Sequence, residues 1–236
     1  TAVIHGESAY QMKGQLIDEN RQENTIAHEI FHHWFGNLVT TESWSNLALN
    51  ESFANYSQYL WREYKYGKTD ADAHLFENTK PYLSDPSNHE KKLVRYYYND
   101  KEDMFDLVSY NKGGAILHML RKYLGDNAFF SGLKKYLNTY QYKSAEVSQL
   151  RLALEEVSGK DLQWFFNQWF FGSGHPNIQV SYDYNSLEKT VTVNFVQTQN
   201  NAFKFPMAID IFENGTKTRH HVFVDGRDSS FKFIFE

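Results

Sequence analysis

Cysteine is absent from this sequence: none of its 236 residues is a Cys. The absence excludes a disulfide scaffold, a zinc site with cysteine ligands and a cysteine nucleophile. The cellular compartment stays open, because a chain without cysteine is compatible with oxidising and with reducing surroundings.

Long apolar runs and an excess of positive charge are also lacking. No segment approaches the roughly 18 to 20 apolar residues that span a bilayer, and the first residues, TAVIHGES, lack the basic and apolar regions of a secretory signal. The net charge is −5, and the Lys and Arg residues form no basic stripe. We therefore expect this segment to contact neither a membrane nor a nucleic acid.

Apolar residues make up 41% of the sequence and aromatic residues 17%, which is enough for a sizeable buried core. The sequence does not start with Met, and it ends in FKFIFE, which is typical of a strand that continues. We expect it to be a piece of a longer protein. Its localisation and its oligomeric state are left open.

The spacing of apolar residues predicts a helical hairpin, formed by residues 19–38 and 45–66 with the turn TTES between them. Residues 67–109 are polar and weakly periodic and include Pro81 and Pro86, so they predict a long loop with room for one short helix. Four further helices are predicted, with Asp126 as an N-cap and glycines as stops. They cover residues 112–124, 126–140, 145–158 and 161–171.

The period of the apolar residues changes to two after the sequence GSGHP at 172–176. Alternation of this kind predicts strands in the last part of the chain, at 178–184, 191–195, 205–211 and 231–235. The sequence thus predicts an α+β fold with a mostly helical part, 1–174, and the start of a β-sandwich domain, 175–236.

The run HEIFH at 28–32 places His28 and His32 four residues apart. On a helix they lie about 40° apart on one face, so both imidazoles can reach one metal ion. Glu29 is rotated by about 100° from His28, beside the ion, where a carboxylate can take a proton from water.

A third ligand is expected on the second arm of the hairpin. Glu51 follows His32 by nineteen positions and has apolar neighbours suited to an inward face. Two His and one Glu leave a fourth position open, as in catalytic zinc sites. One alternative is a motif that arises by chance, but chance seldom also supplies a carboxylate at a matching position. The other is a buried, hydrogen-bonded histidine pair, and burying these groups costs free energy unless they have partners or a metal.

The stretches HEIFHHWFGNLVT, Trp44, LNESFA and YNKGG together resemble the zinc aminopeptidase family of membrane alanyl aminopeptidase (aminopeptidase N) and leukotriene hydrolase. That family carries HELAHQWFGNLVT, LNEGFA and YEKG, and the likeness covers about residues 1–176. It implies a thermolysin-like catalytic domain with one Zn²⁺ bound by His28, His32 and Glu51, with Glu29 as general base and Tyr110 as the tyrosine that stabilises the transition state.

The chain departs from the family pattern at three positions near the expected site. Ser52 replaces the usual Gly after the glutamate ligand, His33 replaces a Gln, and Gln58 stands where an acidic residue near the ligands is common. The family also has a G-x-M-E-N stretch before the zinc helix, whose glutamate helps to hold the substrate's amino group. We expect that part of the catalytic domain to precede this sequence, and the fragment to bind zinc more readily than it cleaves peptides.

The resemblance implies zinc-dependent removal of N-terminal amino acids from peptides that have a free N-terminus. Two other interpretations stay open at this point. One is another reaction on the same site, an endopeptidase or an epoxide hydrolase. The other is a scaffold that has lost catalysis and acts by binding proteins.

Overall fold

The computed structural model describes residues 2–18, 20, 22–213 and 215–234. Two compact units form, Thr1–Ser173 and Gly174–Glu236. The helices of the first unit are α1 (Gln15–Asp18), α2 (Glu23–Phe31), α3 (Ala48–Tyr66), α4 (Lys68–Ser84), α5 (Gly113–Leu124), α6 (Asp126–Tyr140), α7 (Val147–Ser158) and α8 (Gln163–Trp169). The assignment of this unit as a peptidase catalytic domain stays a prediction.

Helix α3 lies at the centre of the first unit and packs against α2, α4 and α5. Its first three turns are buried almost all round, including polar residues such as Ser52 and Asn55. A helix buried on all sides is expected in the middle of a helical layer and not at its surface. The side chains that α3 presents to its neighbours therefore define the interior of this unit.

The first arm of the predicted hairpin is shorter than expected. Helix α2 ends at Phe31, and residue 19, the predicted start, lies outside the described residues. His32 still has helical φ and ψ angles of −58° and −18°, whereas Gly36 has a φ of 142°, which no helix can continue. The prediction of helix up to residue 38 was wrong because this glycine turns the chain back.

The prediction of a long loop for residues 67–109 was wrong for its first part, whereas residues 85–107 contain only short 3-10 turns and irregular segments. Helix α4 occupies Lys68–Ser84, with Pro81 in its last turn. Its inward residues recur at spacings of three and four, but most of them are small or carry a polar group, so they give little apolar signal: Ala71, His74, Leu75, Asn78 and Tyr82. The tertiary contacts of α4 with α3 stabilise a helix that its composition does not predict.

The later helices follow the sequence closely. Gly125 ends α5 and Gly159 ends α7, both at a positive φ, which confirms the predicted stops. Asp126, predicted as an N-cap, is instead the first residue of α6, and Gly125 is its cap. Strands β1 (Val39–Thr41) and β2 (Lys143–Ala145) pair in parallel across about a hundred residues of sequence, a contact that no local pattern predicts.

The second unit consists of two antiparallel sheets. Its strands are β3 (Ile178–Asn185), β4 (Thr190–Gln197), β5 (Phe205–Glu213), β6 (Thr216–Val224) and β7 (Asp228–Ile234). One sheet has the order β3-β4-β7 and the other pairs β5 with β6. Residue 235, the last of the predicted strand 231–235, lies outside the described residues.

The α+β fold class predicted from the sequence is confirmed, with a mostly helical first unit and a second unit of antiparallel sheets. Strand β6 was not predicted, since its residues are mostly polar and exposed.

Among the helices of the described residues, none combines the length and apolar character that crossing a bilayer requires.

Candidate metal centre and active site

Three side chains converge where α2 meets α3. His28 lies in the last turn of α2, His32 caps its C-terminus, and Glu51 lies in the first turn of α3. His28 Nε2 is 3.2 Å from His32 Nε2 and 3.3 Å from Glu51 Oε2, and His32 Nε2 is 3.5 Å from the same carboxylate oxygen. Three potential ligand atoms thus form a nearly equilateral triangle.

The triangle has the size that a tetrahedral zinc site requires. Ligand atoms about 2.0 to 2.1 Å from zinc at tetrahedral angles lie about 3.3 Å from each other. His28 and Glu51 are each only 8% exposed, and Glu51 Oε2 has no well-directed hydrogen-bond donor among the described residues. A buried carboxylate oxygen without a donor, facing two imidazole nitrogens, fits a site that a cation completes.

His32 is oriented by the backbone. Its Nδ1 lies 3.1 Å from the carbonyl oxygen of Phe35, which accepts a hydrogen bond in the turn after α2. A proton on Nδ1 leaves the lone pair of Nε2 directed at the triangle, which is the tautomer that metal ligation requires. The turn that Gly36 makes possible therefore also fixes this ring.

The electrostatics of the cluster favour an ionised carboxylate. Burial by itself raises the pKa of Glu51, but the contacts with His28 and His32 outweigh burial and hold this pKa at about 2. Burial likewise opposes the charged form of His32, while Glu51, the Phe35 carbonyl and the charge of Glu29 together raise the pKa of His32. The three groups are therefore an anionic acceptor and two imidazoles held close together.

Glu29 lies next to His28 on α2, is half-buried, and does not belong to the triangle of ligand atoms. Its negative charge contributes to the raised pKa values of His32 and Tyr110, so it acts on the site from beside it. This is the location that the sequence predicts for a base next to the metal. Its catalytic role stays a prediction.

Tyr110 reaches the same site from a segment that follows α4 in the chain. Its ring is stacked on that of His28, with centroids 5.8 Å apart and planes at 10°. Burial, and then the nearby charge of Glu51, raise the pKa of Tyr110, so its hydroxyl keeps its proton. The site thus contains a neutral hydroxyl donor beside the triangle.

The segment Val108–Lys112 that carries Tyr110 forms a π-turn ahead of α5. The carboxylate of Asp106 accepts hydrogen bonds from the backbone N–H groups of Val108 and Ser109, at 3.1 and 3.0 Å. Asp106 is held in turn by Arg95, at 3.1 Å. Such π-turns are frequent at functional sites, and this one sets the position of the tyrosine.

Two glycines let this segment approach α3. A Cβ atom on Gly113 would lie 1.9 Å from Ser52 Oγ, and one on Gly114 would lie 2.5 Å from Asn55 Oδ1. Ser52 also donates a hydrogen bond to the carbonyl oxygen of Ser109, at 2.7 Å. The Ser that replaces the family's usual Gly after Glu51 therefore links α3 to the Tyr110 segment.

Sequence reasoning missed two contributions to the site, both from α4. His74 contacts Gln58, which in turn contacts His28, and Asn78 bonds to Asn55 and Asn111. The only available signal was the spacing of the inward residues of α4, and their polarity concealed it. The Asn contacts tie the residue next to Tyr110 to both α3 and α4.

The sequence matches the Peptidase family M1 domain over residues 9–169. Among curated proteins, it is 34% identical to aminopeptidase M1-C of Oryza sativa subsp. japonica, over 70% of this chain and 19% of that protein. It is 32% identical to the Tricorn protease-interacting factor F2 of Thermoplasma acidophilum, over 89% of this chain and 27% of that protein. The chain thus spans about a fifth to a quarter of the length of these relatives.

Two solved structures have a similar fold. The fold is similar to that of Legionella pneumophila aminopeptidase A in complex with aspartic acid, with a TM-score of 0.74 and 22% identity, over 89% of this chain and 24% of that chain. It is also similar to a zinc metallopeptidase from Deinococcus radiodurans bound to a Tyr-Ser-Ala substrate. That match has a TM-score of 0.58 and 27% identity, over 67% of this chain and 35% of the other.

Proposed function

This chain belongs to peptidase family M1, and from that membership we propose that it is the zinc-binding part of an aminopeptidase. The observation that carries the proposal is the triangle of His28 Nε2, His32 Nε2 and Glu51 Oε2, with sides of 3.2, 3.3 and 3.5 Å. Its size matches tetrahedral zinc, and two nitrogens with one carboxylate oxygen are a donor set that leaves a fourth position open.

In this proposal His28, His32 and Glu51 hold one Zn²⁺. Bound there, zinc supplies Lewis acidity, which polarises a peptide carbonyl and lowers the pKa of water. The Glu29 carboxylate accepts the proton of the attacking water and returns it to the departing amine. The position of Glu29 beside the triangle, and not within it, supports this role.

Tyr110 supplies the hydrogen-bond donor for the oxygen on which negative charge develops. Its hydroxyl keeps its proton because its pKa is raised by burial and by the charge of Glu51. Stacking on His28 orients the ring, and the π-turn fixes its backbone. A donor that is already oriented before the reaction stabilises the transition state without a cost of reorganisation.

The proposed substrates are peptides with a free N-terminus, in keeping with the aminopeptidases among the relatives. An endopeptidase or an epoxide hydrolase would use the same residues, and a silent binding scaffold would use none of them for catalysis. Metal binding and the choice of substrate distinguish these alternatives from an aminopeptidase.

Zinc content is the first test. We expect one Zn²⁺ per chain after dialysis against zinc and removal of free metal, and its loss in the variants His28→Ala and Glu51→Ala. His33→Ala is the matched control, because it removes the neighbouring imidazole and should leave the metal content at one. Equal zinc content in all four proteins would contradict the proposed ligands.

Hydrolysis is the second test. We expect the zinc-loaded chain to release the chromophore from an aminoacyl anilide more slowly than a full-length relative does, and to leave the N-acetylated anilide intact. Cleavage of both would favour an endopeptidase. Full zinc occupancy without any hydrolysis, both in this chain and in one extended to the length of its relatives, would favour the scaffold.

A further inference from the structure

The side chain of Gln58 lies between two imidazoles, that of His28 and that of His74. Gln58 Nε2 is 3.5 Å from His28 Nδ1, and Gln58 Oε1 is 3.2 Å from His74 Nε2. Gln58 lies on α3, two turns after Glu51, and His74 is half-buried on α4. We call this arrangement, His28 to Gln58 to His74, the amide bridge.

The two metal-facing histidines differ in what orients them. His32 Nδ1 faces a backbone carbonyl, which can only accept a hydrogen bond and so permits one tautomer. His28 Nδ1 faces a side-chain amide, which carries an acceptor at one end and a donor at the other. The Gln58 amide can therefore turn over and present either its donor or its acceptor to the ring of His28.

Metal ligation through His28 Nε2 requires the proton on Nδ1, and that proton needs an acceptor. The amide group presents its nitrogen to His28, at a distance that is long for a hydrogen bond. A half-turn of the amide exchanges the two ends, so that Oε1 accepts from His28 Nδ1 and the NH₂ group donates to His74 Nε2. His74 must then carry its own proton on Nδ1.

His74 is suited to both arrangements. Burial lowers the pKa of His74, as does the nearby charge of Arg62. The ring is therefore neutral, with one nitrogen donating and the other accepting. It can donate from Nε2 to the amide oxygen or accept at Nε2 from the amide nitrogen.

We propose that Gln58 and His74 are positioning residues for the metal: the amide bridge has two hydrogen-bonded states, and binding of Zn²⁺ selects the one in which Gln58 Oε1 accepts from His28 Nδ1. This inference rests on the proposed function, because it assumes that His28, His32 and Glu51 bind the metal. It adds Gln58 on α3 and His74 on α4 to the residues that set the zinc affinity of the site.

Zinc affinity measured by competition with a chromophoric chelator tests the bridge without any reliance on activity. Loss of a hydrogen-bonding partner behind a ligating histidine typically costs about 10- to 100-fold in metal affinity. We expect a loss in that range for Gln58→Leu and a smaller, measurable loss for His74→Ala. Gln58→Glu should bind zinc more tightly than the natural chain, because either carboxylate oxygen accepts from Nδ1.

The double variant distinguishes the bridge from a general structural effect. In the Gln58→Glu background no amide needs to be oriented, so adding His74→Ala should leave zinc affinity unchanged. His89→Ala is the matched control, because His89 follows α4 and bonds to the carbonyl of Tyr82 instead. A loss for His74→Ala that is equal in the natural chain and in the Gln58→Glu background, or equal to that of His89→Ala, would overturn the inference.

The tautomer of His74 gives a spectroscopic readout that a purely structural role would not change. Long-range ¹⁵N–¹H spectra should show the ring proton of His74 on Nε2 without metal and on Nδ1 with zinc bound. An unchanged His74 tautomer in a protein that binds zinc would overturn the bridge alone. A natural chain that binds no zinc would overturn the proposed metal site, and the bridge with it.

Discussion

Gly113 and Ser52 lie so close together that a Cβ atom on Gly113 would be 1.9 Å from Ser52 Oγ and 2.6 Å from Ser52 Cβ. Gly113 begins α5, directly after the segment of Tyr110, and Ser52 follows Glu51 on α3. The contact therefore joins the tyrosine and the carboxylate of the proposed site through their sequence neighbours.

Replacing Gly113 by Ala should force α5 away from α3. We expect the free energy of unfolding to fall by about 1–3 kcal/mol, the usual cost of an overpacked interior. Urea denaturation measures the change, and Gly14→Ala is the control, since a Cβ atom there has no neighbour within 4 Å. The Ser52→Gly substitution should restore most of the loss in the double variant; if it restores none, the contact is not the cause.

Removing only the hydroxyl of Tyr110 should separate catalysis from metal binding. Tyr110→Phe keeps the ring that stacks on His28 but loses the hydrogen-bond donor. If the proposed function holds, kcat should fall about 10²–10³-fold, the usual effect of one lost donor to a developing oxyanion, with zinc affinity unchanged. Tyr142→Phe serves as the exposed control. A fall in zinc content that accounts for the lost activity would contradict this role.

The pH dependence of stability should include a contribution from His118. Burial lowers the pKa of His118 to about 4, from an ordinary value of 6.5. The unfolded chain therefore binds a proton between these two values that the folded chain does not, so stability should fall as the pH drops from about 6.5 to about 4. Urea midpoints across this range measure the effect.

A variant without the imidazole provides the control for that measurement. The Tyr56 hydroxyl lies 3.1 Å from His118 Nδ1 and forms a hydrogen bond with it. In His118→Gln the amide can still contact Tyr56 but cannot titrate. The loss of stability toward low pH should be smaller in this variant; an identical slope would show that other groups cause it.

Glu23 should stabilise the start of the helix that carries His28 and His32. Its buried carboxylate accepts hydrogen bonds from Trp61, from Lys65 at 2.6 Å and from Tyr66 at 2.7 Å, all near the end of α3. Glu23→Gln should lower the free energy of unfolding by about 1–3 kcal/mol, since three donors lose a buried, charged acceptor. Thermal or urea denaturation measures the loss.

The control for Glu23 is an acidic residue on the surface. Glu77 forms an exposed pair with Lys80 one turn away on α4. Exposed pairs of this kind contribute about 0–1 kcal/mol, so Glu77→Gln should be close to neutral. Equal effects at both positions would show that the contacts of Glu23 add no more than a surface charge does.

Parts of the fold could be predicted because their signals are local. The helix stops at Gly125 and Gly159 follow from the freedom of glycine, and the change to a period of two marks the start of the strands. Helix α4 and the end of α2 at Phe31 could not be predicted in the same way. One depends on contacts with α3, and the other on a positive φ at Gly36.

The sequence by itself determined the family and the helix face on which the two imidazoles lie. The spacing of His28 and His32 fixes both imidazoles on one helix face, and with Glu51 and the YNKGG stretch it indicated the family, because helical geometry turns spacing into direction. Only the tertiary structure decided which residues contact and orient these groups. The ring of Tyr110 on His28, the approach of Gly113 to Ser52 and the contact of Gln58 with His74 all join residues far apart in the chain. Such contacts depend on how helices pack, and packing is decided by the whole interior at once and not by any local pattern.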